Sequence, residues 1–145
     1  MKNKPILIVA GERKSIFFEI FFKSLKLNKF KSPIILLSSI NVLKSQMNKF
    51  KFKKDIKLID IDNLKKLKLD NKKINLINID YITNNKIKNN NYKYDIYIKN
   101  CFDSAFKILK TNFTNKLING PINKSKFLNK KFLGMTEYIS KKFKV

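Results

Sequence analysis

The run Pro5 to Ala10, which reads PILIVA, constrains the fold more than any other part of the chain. It has the length of a strand and no polar alternation, and such a strand must be covered on both faces. Gly11 ends the run, because glycine tolerates backbone angles that other residues avoid. The pattern therefore predicts a buried strand of the kind found in parallel sheets.

Short apolar runs and longer amphipathic stretches alternate along the rest of the chain. Ser15 is predicted to cap a first helix that ends at about Leu27, with a wide apolar face rich in phenylalanine. The inner stripe of the last predicted helix consists of Ile98, Cys101, Phe102, Ala105, Phe106 and Leu109. The remaining predicted elements are strands at Pro33–Leu37, Ile56–Ile61, Ile74–Ile79 and Lys116–Asn119, and helices at Ile40–Phe50 and Tyr94–Lys110.

The middle of the chain is less regular. Apolar and polar residues alternate in Ile56–Ile61 and Ile74–Ile79, so each of these strands is expected to have one wet face. Asp62–Lys73 is predicted to be a loop or a short helix, and Asn84–Asn91 a loop. The order of strand, helix, strand, helix, two strands, helix and strand predicts an α/β fold with a mostly parallel sheet. Residues 1–145 are expected to form a single unit.

The formal charge of +23 would ordinarily suggest a polyanionic partner such as nucleic acid. However, lysine is enriched together with asparagine, isoleucine and phenylalanine, all of which have codons built only from A and T. The lysines also run from Lys2 to Lys144 without forming one tail or one helical stripe. A generally basic, solvated surface is therefore favoured over a nucleic-acid interface, and a small nucleic-acid-binding protein is kept as an alternative.

Cysteine content and the amino terminus bear on the compartment. Cys101 is the only cysteine, so no internal disulfide can form, and the absence of histidine removes the usual partner of a catalytic thiol. Buried packing is the favoured role for Cys101. The apolar run after Lys2 and Lys4 is too short for a secretory signal or a membrane-spanning helix, so a cytoplasmic protein is expected.

Two loops are candidates for ligand binding, because ligands of α/β sheets collect where loops leave the carboxyl ends of strands. The first is Gly11–Ser15, where Glu12 lies beside the start of a helix. The second is Gly120–Lys124, where Asn123 offers an amide and Lys124 a positive charge. We therefore predict Gly11, Glu12 and Gly120 near a ligand.

The segment Leu117–Ser140 holds two of the three glycines and one of the three prolines of a chain poor in both. It contains GPINK at Gly120–Lys124, then KFLN, then FLGMTEY at Phe132–Tyr138. This order resembles the 4-hydroxythreonine-4-phosphate dehydrogenase family of vitamin B6 biosynthesis, which has a T-G-P-I-N-K stretch, a helix with an L-N pair, and G-H-T-E-F. The amino terminus agrees through Pro5–Ile8 and Gly11-Glu12.

The resemblance implies part of an isocitrate/isopropylmalate-dehydrogenase-like fold and an oxidoreductase that works as a homodimer. Members of that family use NAD and a divalent metal (Zn, Mg or Co) to oxidise 4-phosphooxy-L-threonine on the path to pyridoxine 5′-phosphate. The metal polarises the hydroxyl, basic groups hold the phosphate, and hydride passes to the nicotinamide. Substrate binding is thereby implied for Thr136, Met135, Lys124 and Asn123, whereas the catalytic residues stay unassigned.

The chain also departs from the family pattern. Met135 stands where the family has a histidine, and a thioether donates no hydrogen bond to a carboxylate or phosphate. Arg13 stands where the early family loop has proline. The family's metal-binding histidines lie beyond the G-H-T-E motif, and this sequence has no histidine, so no metal ligands are assigned to it.

Three interpretations follow. The chain is the amino-terminal, truncated part of such a dehydrogenase, or an inactive fragment or assembly partner of a separate carboxyl-terminal half, or a small basic nucleic-acid-binding protein. Under the first two, the phosphorylated hydroxy-amino acid is the expected ligand and no membrane is involved. The phenylalanine-rich first helix and the last strand are then expected to leave apolar surface exposed.

Overall fold

Five parallel strands form one sheet in the computed structural model, which describes residues 3–81, 90–128 and 131–143. The strands are β1 (Ile6–Val9), β2 (Ile34–Ser38), β3 (Ile56–Leu58), β4 (Ile74–Asn78) and β5 (Leu117–Asn119), in the order β3-β4-β2-β1-β5. The helices are α1 (Phe17–Leu27), α2 (Ile40–Lys49), α3 (Asn90–Lys110), α4 (Lys124–Phe127) and α5 (Met135–Phe143), with a 3₁₀ helix at Ile61–Lys66.

Strand β1 lies inside the sheet and is covered on both faces, as its unbroken apolar sequence predicts. Ile8 is in register with Leu36 of β2 on one side and with Ile118 of β5 on the other. Leu7 and Val9 are fully buried on one face, and Ile8 is buried on the opposite face. A run with no polar residue is stable here because neither face meets water.

Helix α1 covers one face of the sheet with aromatic side chains. Phe18, Phe21 and Phe22 are buried among residues of β1, β2 and β4. The rings of Phe22 and Phe52 are stacked, with their centroids 4.5 Å apart and their planes 12° apart. The phenylalanine part of the predicted apolar face is therefore internal, whereas Ile16 and Ile20, which are predicted on the same face, are exposed. The helix begins at Phe17, although the Ser15 side chain still accepts a hydrogen bond from the Phe17 backbone.

Helix α3 covers the opposite face. Five members of its predicted inner stripe are buried, and the sixth, Leu109, is only partly so, while Ile108 is fully buried. Burial raises the pKa of the Cys101 thiol to about 12, so it stays protonated and packs as an apolar group. The rings of Phe102 and Tyr138 meet edge to face, 6.3 Å apart, which joins α3 to α5.

Strand β4 differs from its predicted pattern. Its first four residues are buried on both faces, so Asn75 is an internal polar residue instead of part of a wet face. The Asn75 amide nitrogen donates to the Ile34 and Asp70 carbonyls at 2.9 and 2.7 Å, whereas its buried Oδ1 atom has no hydrogen-bond partner among the described residues. The strand β3 ends at Leu58, and the 3₁₀ helix at Ile61–Lys66 supplies the short helix predicted after it.

The order of elements agrees with the α/β fold predicted from the sequence. The strands predicted near Pro5, Pro33, Ile74 and Lys116 are present within a residue or two of their expected bounds. Helix α3 begins at Asn90, one turn before the predicted start. Most of the loop predicted at Asn84–Asn91 lies outside the described residues.

Some apolar side chains are exposed, as predicted, but the phenylalanines of α1 contribute little. The exposed set includes Ile16, Ile20 and Leu27 in and beside α1 and Ile118 of β5. Ile20 and Ile118 are each 53% exposed. Within the described ranges, no helix is both long and apolar enough to cross a membrane.

Tyr97 links helix α3 to the start of α2. Its hydroxyl oxygen accepts a hydrogen bond from the Ser39 backbone N–H at 2.9 Å and lies 3.1 Å from the Ser38 hydroxyl oxygen. All three residues are buried, so no water can replace these bonds. Burial also raises the pKa of Tyr97, which keeps its hydroxyl neutral.

We therefore expect Tyr97→Phe to lower the free energy of unfolding by about 1–3 kcal/mol, because it leaves the Ser39 N–H buried without its acceptor. Tyr94→Phe is the matched control, since the buried Tyr94 hydroxyl has no hydrogen-bond partner of good geometry among the described residues. Urea denaturation measures both changes. Equal losses in the two variants would contradict the role given to the Tyr97 hydroxyl.

Candidate functional site

The two loops predicted to bind a ligand lie side by side, because β1 and β5 are parallel neighbours whose carboxyl ends meet at one edge of the sheet. The Glu12 backbone N–H donates to the Pro121 carbonyl at 2.8 Å. The Gly120 N–H donates to the Val9 carbonyl at 2.7 Å. The chain segments that follow the two strands are therefore joined by backbone hydrogen bonds.

Glycine is required on both sides of this junction. Gly11 has a φ of +71°, and a Cβ atom there would lie 2.5 Å from the Pro121 carbonyl oxygen. A Cβ atom on Gly120 would lie 2.8 Å from the Ala10 carbonyl carbon. The two backbones approach more closely than any side chain permits.

The Glu12 side chain strengthens the same junction. Its Oε1 atom accepts a hydrogen bond from the Asn123 backbone N–H at 2.9 Å. The Ser15 hydroxyl donates to the Glu12 carbonyl at 2.6 Å, which fixes the turn between β1 and α1. Glu12 and Asn123, two of the predicted site residues, are thus in direct contact across 111 positions of sequence.

Asn123 organises the start of α4. Its Oδ1 atom accepts hydrogen bonds from the Lys126 backbone N–H at 3.2 Å and from the Ser125 hydroxyl at 2.7 Å. This cap aligns the short helix so that Lys126 faces the space beside Glu12. Lys124, the lysine predicted from the sequence, is exposed and does not line that space.

A cleft of about 800 Å³ opens at this edge of the sheet. Its lining combines four cationic side chains, two carboxylates, two tyrosines, three neutral polar side chains and three apolar ones. These residues are Arg13, Lys14, Lys49, Lys126, Glu12, Asp95, Tyr81, Tyr94, Ser45, Gln46, Asn123, Ile98, Ile122 and Phe127. Because four cationic side chains face only two carboxylates, positive charge predominates in the cleft.

Tyr94 contributes a buried hydroxyl to the cleft. This hydroxyl has no hydrogen-bond partner of good geometry in the described part of the chain. The nearby Arg13 backbone lowers the pKa of Tyr94 slightly. Burial, together with the negative charge of Glu12, raises the pKa of Tyr94. The hydroxyl therefore stays protonated.

Met135 and Thr136 lie elsewhere. Both belong to the first turn of α5 and neither lines the cleft. Met135 packs against the core under α3, and Thr136 is exposed. The neighbouring Glu137 accepts a hydrogen bond from the Leu133 backbone N–H at 2.6 Å, so it caps the helix. The structure thus brings together Gly11, Glu12, Gly120 and Asn123, but not Met135, Thr136 or Lys124.

The donor groups of the described residues do not suit a metal ion. In the ranges 3–81, 90–128 and 131–143, no three or more His, Cys, Asp or Glu side chains are grouped so that they could hold one. The cleft itself offers two carboxylates among four cations. Its charge favours an anionic ligand over a divalent cation.

Solved structures share this architecture. The 4-hydroxythreonine-4-phosphate dehydrogenase from Klebsiella pneumoniae superimposes with a TM-score of 0.76 and 16% sequence identity, over 96% of this chain and 44% of that one. The enzyme of the same name from Burkholderia phymatum gives 0.73 and 15%, over 96% and 43%. A Salmonella typhimurium protein provisionally given that name has a TM-score of 0.73 and 15% identity, over 96% and 44%.

The chain has the fold of part of these dehydrogenases. It spans less than half the length of each of them. No protein-family model matches the sequence, and no curated protein sequence matches it. The similarity is therefore one of fold at low identity, and the resemblance in fold that the Leu117–Ser140 segment predicts is confirmed.

Several residues of the cleft escape sequence reasoning. Tyr94 lies one helical turn before Ile98, on the inner stripe of α3. Extending that stripe by one turn towards the amino end of α3 would therefore have identified Tyr94 as a residue of the cleft. Gln46 and Lys49 come from α2, whose sequence has no motif that distinguishes them. Lys126 looks like one surface lysine among many until the Asn123 cap orients its helix.

Substitution of Gly11 tests the junction beneath the cleft. We expect Gly11→Ala to lower the free energy of unfolding by about 1–3 kcal/mol or more. Alanine at positive φ is strained, and its Cβ atom would clash with the Pro121 carbonyl oxygen. Gly134→Ala is the matched control, because a Cβ atom there would meet no described atom within 4 Å beyond its chain neighbours. Thermal unfolding measures both, and a Gly11→Ala protein as stable as Gly134→Ala would contradict the close approach.

Proposed function

We propose that the cleft binds a phosphorylated hydroxy-amino acid of the 4-phosphooxy-L-threonine type, and that the chain is the substrate-binding part of an NAD-dependent dehydrogenase. The observation that carries the proposal is the set of four cations at the carboxyl ends of parallel strands, in a cleft built on a dehydrogenase fold. That edge of an open α/β sheet is where ligands bind.

The chemistry of the lining matches the parts of such a molecule. Arg13 comes from the Gly11–Ser15 loop and Lys126 from α4, which follows the Gly120–Lys124 loop, and together they supply charge-assisted hydrogen bonds to a phosphate. Asp95, on α3, is the acceptor available to a substrate ammonium group.

Oxidation of the substrate hydroxyl requires more than the described residues provide. In the dehydrogenase family a divalent metal polarises that hydroxyl, and NAD accepts the hydride. The sequence has no histidine, and the donor groups described above do not suit a metal ion. We therefore assign substrate binding to this chain, and we propose that a complementary carboxyl-terminal half supplies the metal and NAD sites.

Binding of a phosphorylated ligand tests the substrate site. Titration calorimetry with 4-phosphooxy-L-threonine is expected to show binding that weakens about tenfold in Lys126→Met, because one charged hydrogen bond to phosphate is lost. Lys72→Met is the matched control, since Lys72 is exposed just before β4, at the amino ends of the parallel strands and so at the end of the sheet opposite the cleft. Equal weakening in both variants would show a nonspecific effect of net charge and would contradict the site.

The proposed location of the metal site in the complementary carboxyl-terminal half makes a prediction about activity. The purified chain is expected to produce no NADH from 4-phosphooxy-L-threonine with NAD and Mg²⁺, Zn²⁺ or Co²⁺, since metal polarisation of the hydroxyl is missing. Absorbance of NADH measures this. Metal-dependent NADH formation that Lys126→Met reduces would overturn the division of roles, although it would uphold the substrate site.

A further inference from the structure

A second concave surface lies on the other side of β5 and differs in chemistry from the cleft. It is an apolar groove of about 360 Å³ between α1 and the β5 edge of the sheet. Ile6, Phe17, Ile20, Leu25, Phe30 and Ile118 are among its lining residues. Ile20 and Ile118 line the groove and are each 53% exposed, so the groove is open to solvent.

The edge of the sheet beside the groove is open. β5 pairs with β1 and, within the described residues, with no strand on its other side. An edge strand presents unpaired N–H and C=O groups to which a further strand can bind. A segment bound there would place every second side chain over the groove, because side chains alternate between the faces of a strand.

The charge around the groove specifies what can bind. Six lysines lie within two residues of its lining positions and are all exposed: Lys4, Lys23, Lys26, Lys29, Lys31 and Lys116. Glu19 is the one acidic residue in the same windows of sequence, and its carboxylate is bound to Lys23 at 2.6 Å. Five of the six lysines therefore have no acidic residue in these windows to pair with, so positive charge predominates along the segments that form the groove.

We propose that this groove and the β5 edge bind an extended segment of a partner polypeptide in which apolar and acidic residues alternate. The apolar side chains fill the groove, the backbone pairs with β5, and the carboxylates face the surrounding lysines. A second copy of the chain is disfavoured as the occupant, because it would bring the same lysines against each other in a chain of net charge +23.

A synthetic peptide of alternating valine and glutamate, long enough to span β5, tests the proposal by fluorescence anisotropy. Its affinity is expected to fall about tenfold for Ile118→Thr, which removes apolar contact and keeps a residue suited to strands. Leu58→Thr is the matched control, because Leu58 is 59% exposed on β3 at the opposite edge of the sheet. Equal affinity losses in the two variants would overturn the proposal.

Two further peptides separate strand pairing from charge attraction. A peptide with the same residues, methylated on the backbone nitrogens that would face β5, is expected to bind at least about tenfold more weakly, because it cannot donate to the edge. A peptide of the same composition with its glutamates in one block is also expected to bind weakly. If either binds as well as the alternating peptide, the proposal fails.

The second copy is tested on the protein alone. Sedimentation at rising protein concentration is expected to show no association that depends on the groove. Self-association that Ile118→Thr abolishes and Leu58→Thr preserves would identify a second copy as the occupant and overturn the proposal. The proposal is independent of the cleft, so Lys126→Met is expected to bind the alternating peptide like the unsubstituted chain.

Discussion

The hydrogen bond from the Glu12 backbone to the Pro121 carbonyl is the interaction on which the candidate site depends. The backbones that follow β1 and β5 must approach too closely for a Cβ atom to fit between them. Gly11 and Gly120, which have no Cβ atom, permit this approach. Once the bond is made, the Glu12 carboxylate reaches the Asn123 backbone, and the Asn123 cap orients α4. The position of Lys126 in the cleft thus follows from a contact between two backbones.

The sequence predicts the fold well where one physical requirement dominates. The run Pro5–Ala10 must be buried on both faces, and β1 is. Prediction fails where tertiary contacts decide: Asn75 looks like part of a wet face, yet its amide finds two carbonyls inside the structure. Helical spacing predicts that Leu109 is buried, but Ile108 is fully buried and Leu109 is only partly buried. Neighbouring elements, and not helical spacing alone, determine which side chain of α3 is covered.

Only the two loops of the candidate site could be predicted from the sequence, and not the side chains that other elements contribute to it. Glycines at strand ends are rare enough in this chain to mark Gly11 and Gly120, and Asn123 lies in the loop that begins at Gly120. Side chains from distant elements, such as Lys49 of α2 and Tyr94 of α3, enter the cleft through packing that no local motif encodes. Resemblance alone also groups Met135 and Thr136 with the site, whereas α5 directs Met135 into the core.

The contact between Glu12 and Asn123 has a consequence for the order in which the chain folds. β1 and β2 are close in sequence and can pair early, but the second neighbour of β1 follows more than a hundred residues later, as does the Thr114 hydroxyl that binds the Pro5 carbonyl. Closing so long a loop costs conformational entropy before the contacts it brings together can compensate for that cost. The candidate site therefore forms late, and a nascent chain keeps one edge of β1 unpaired until β5 has been synthesised.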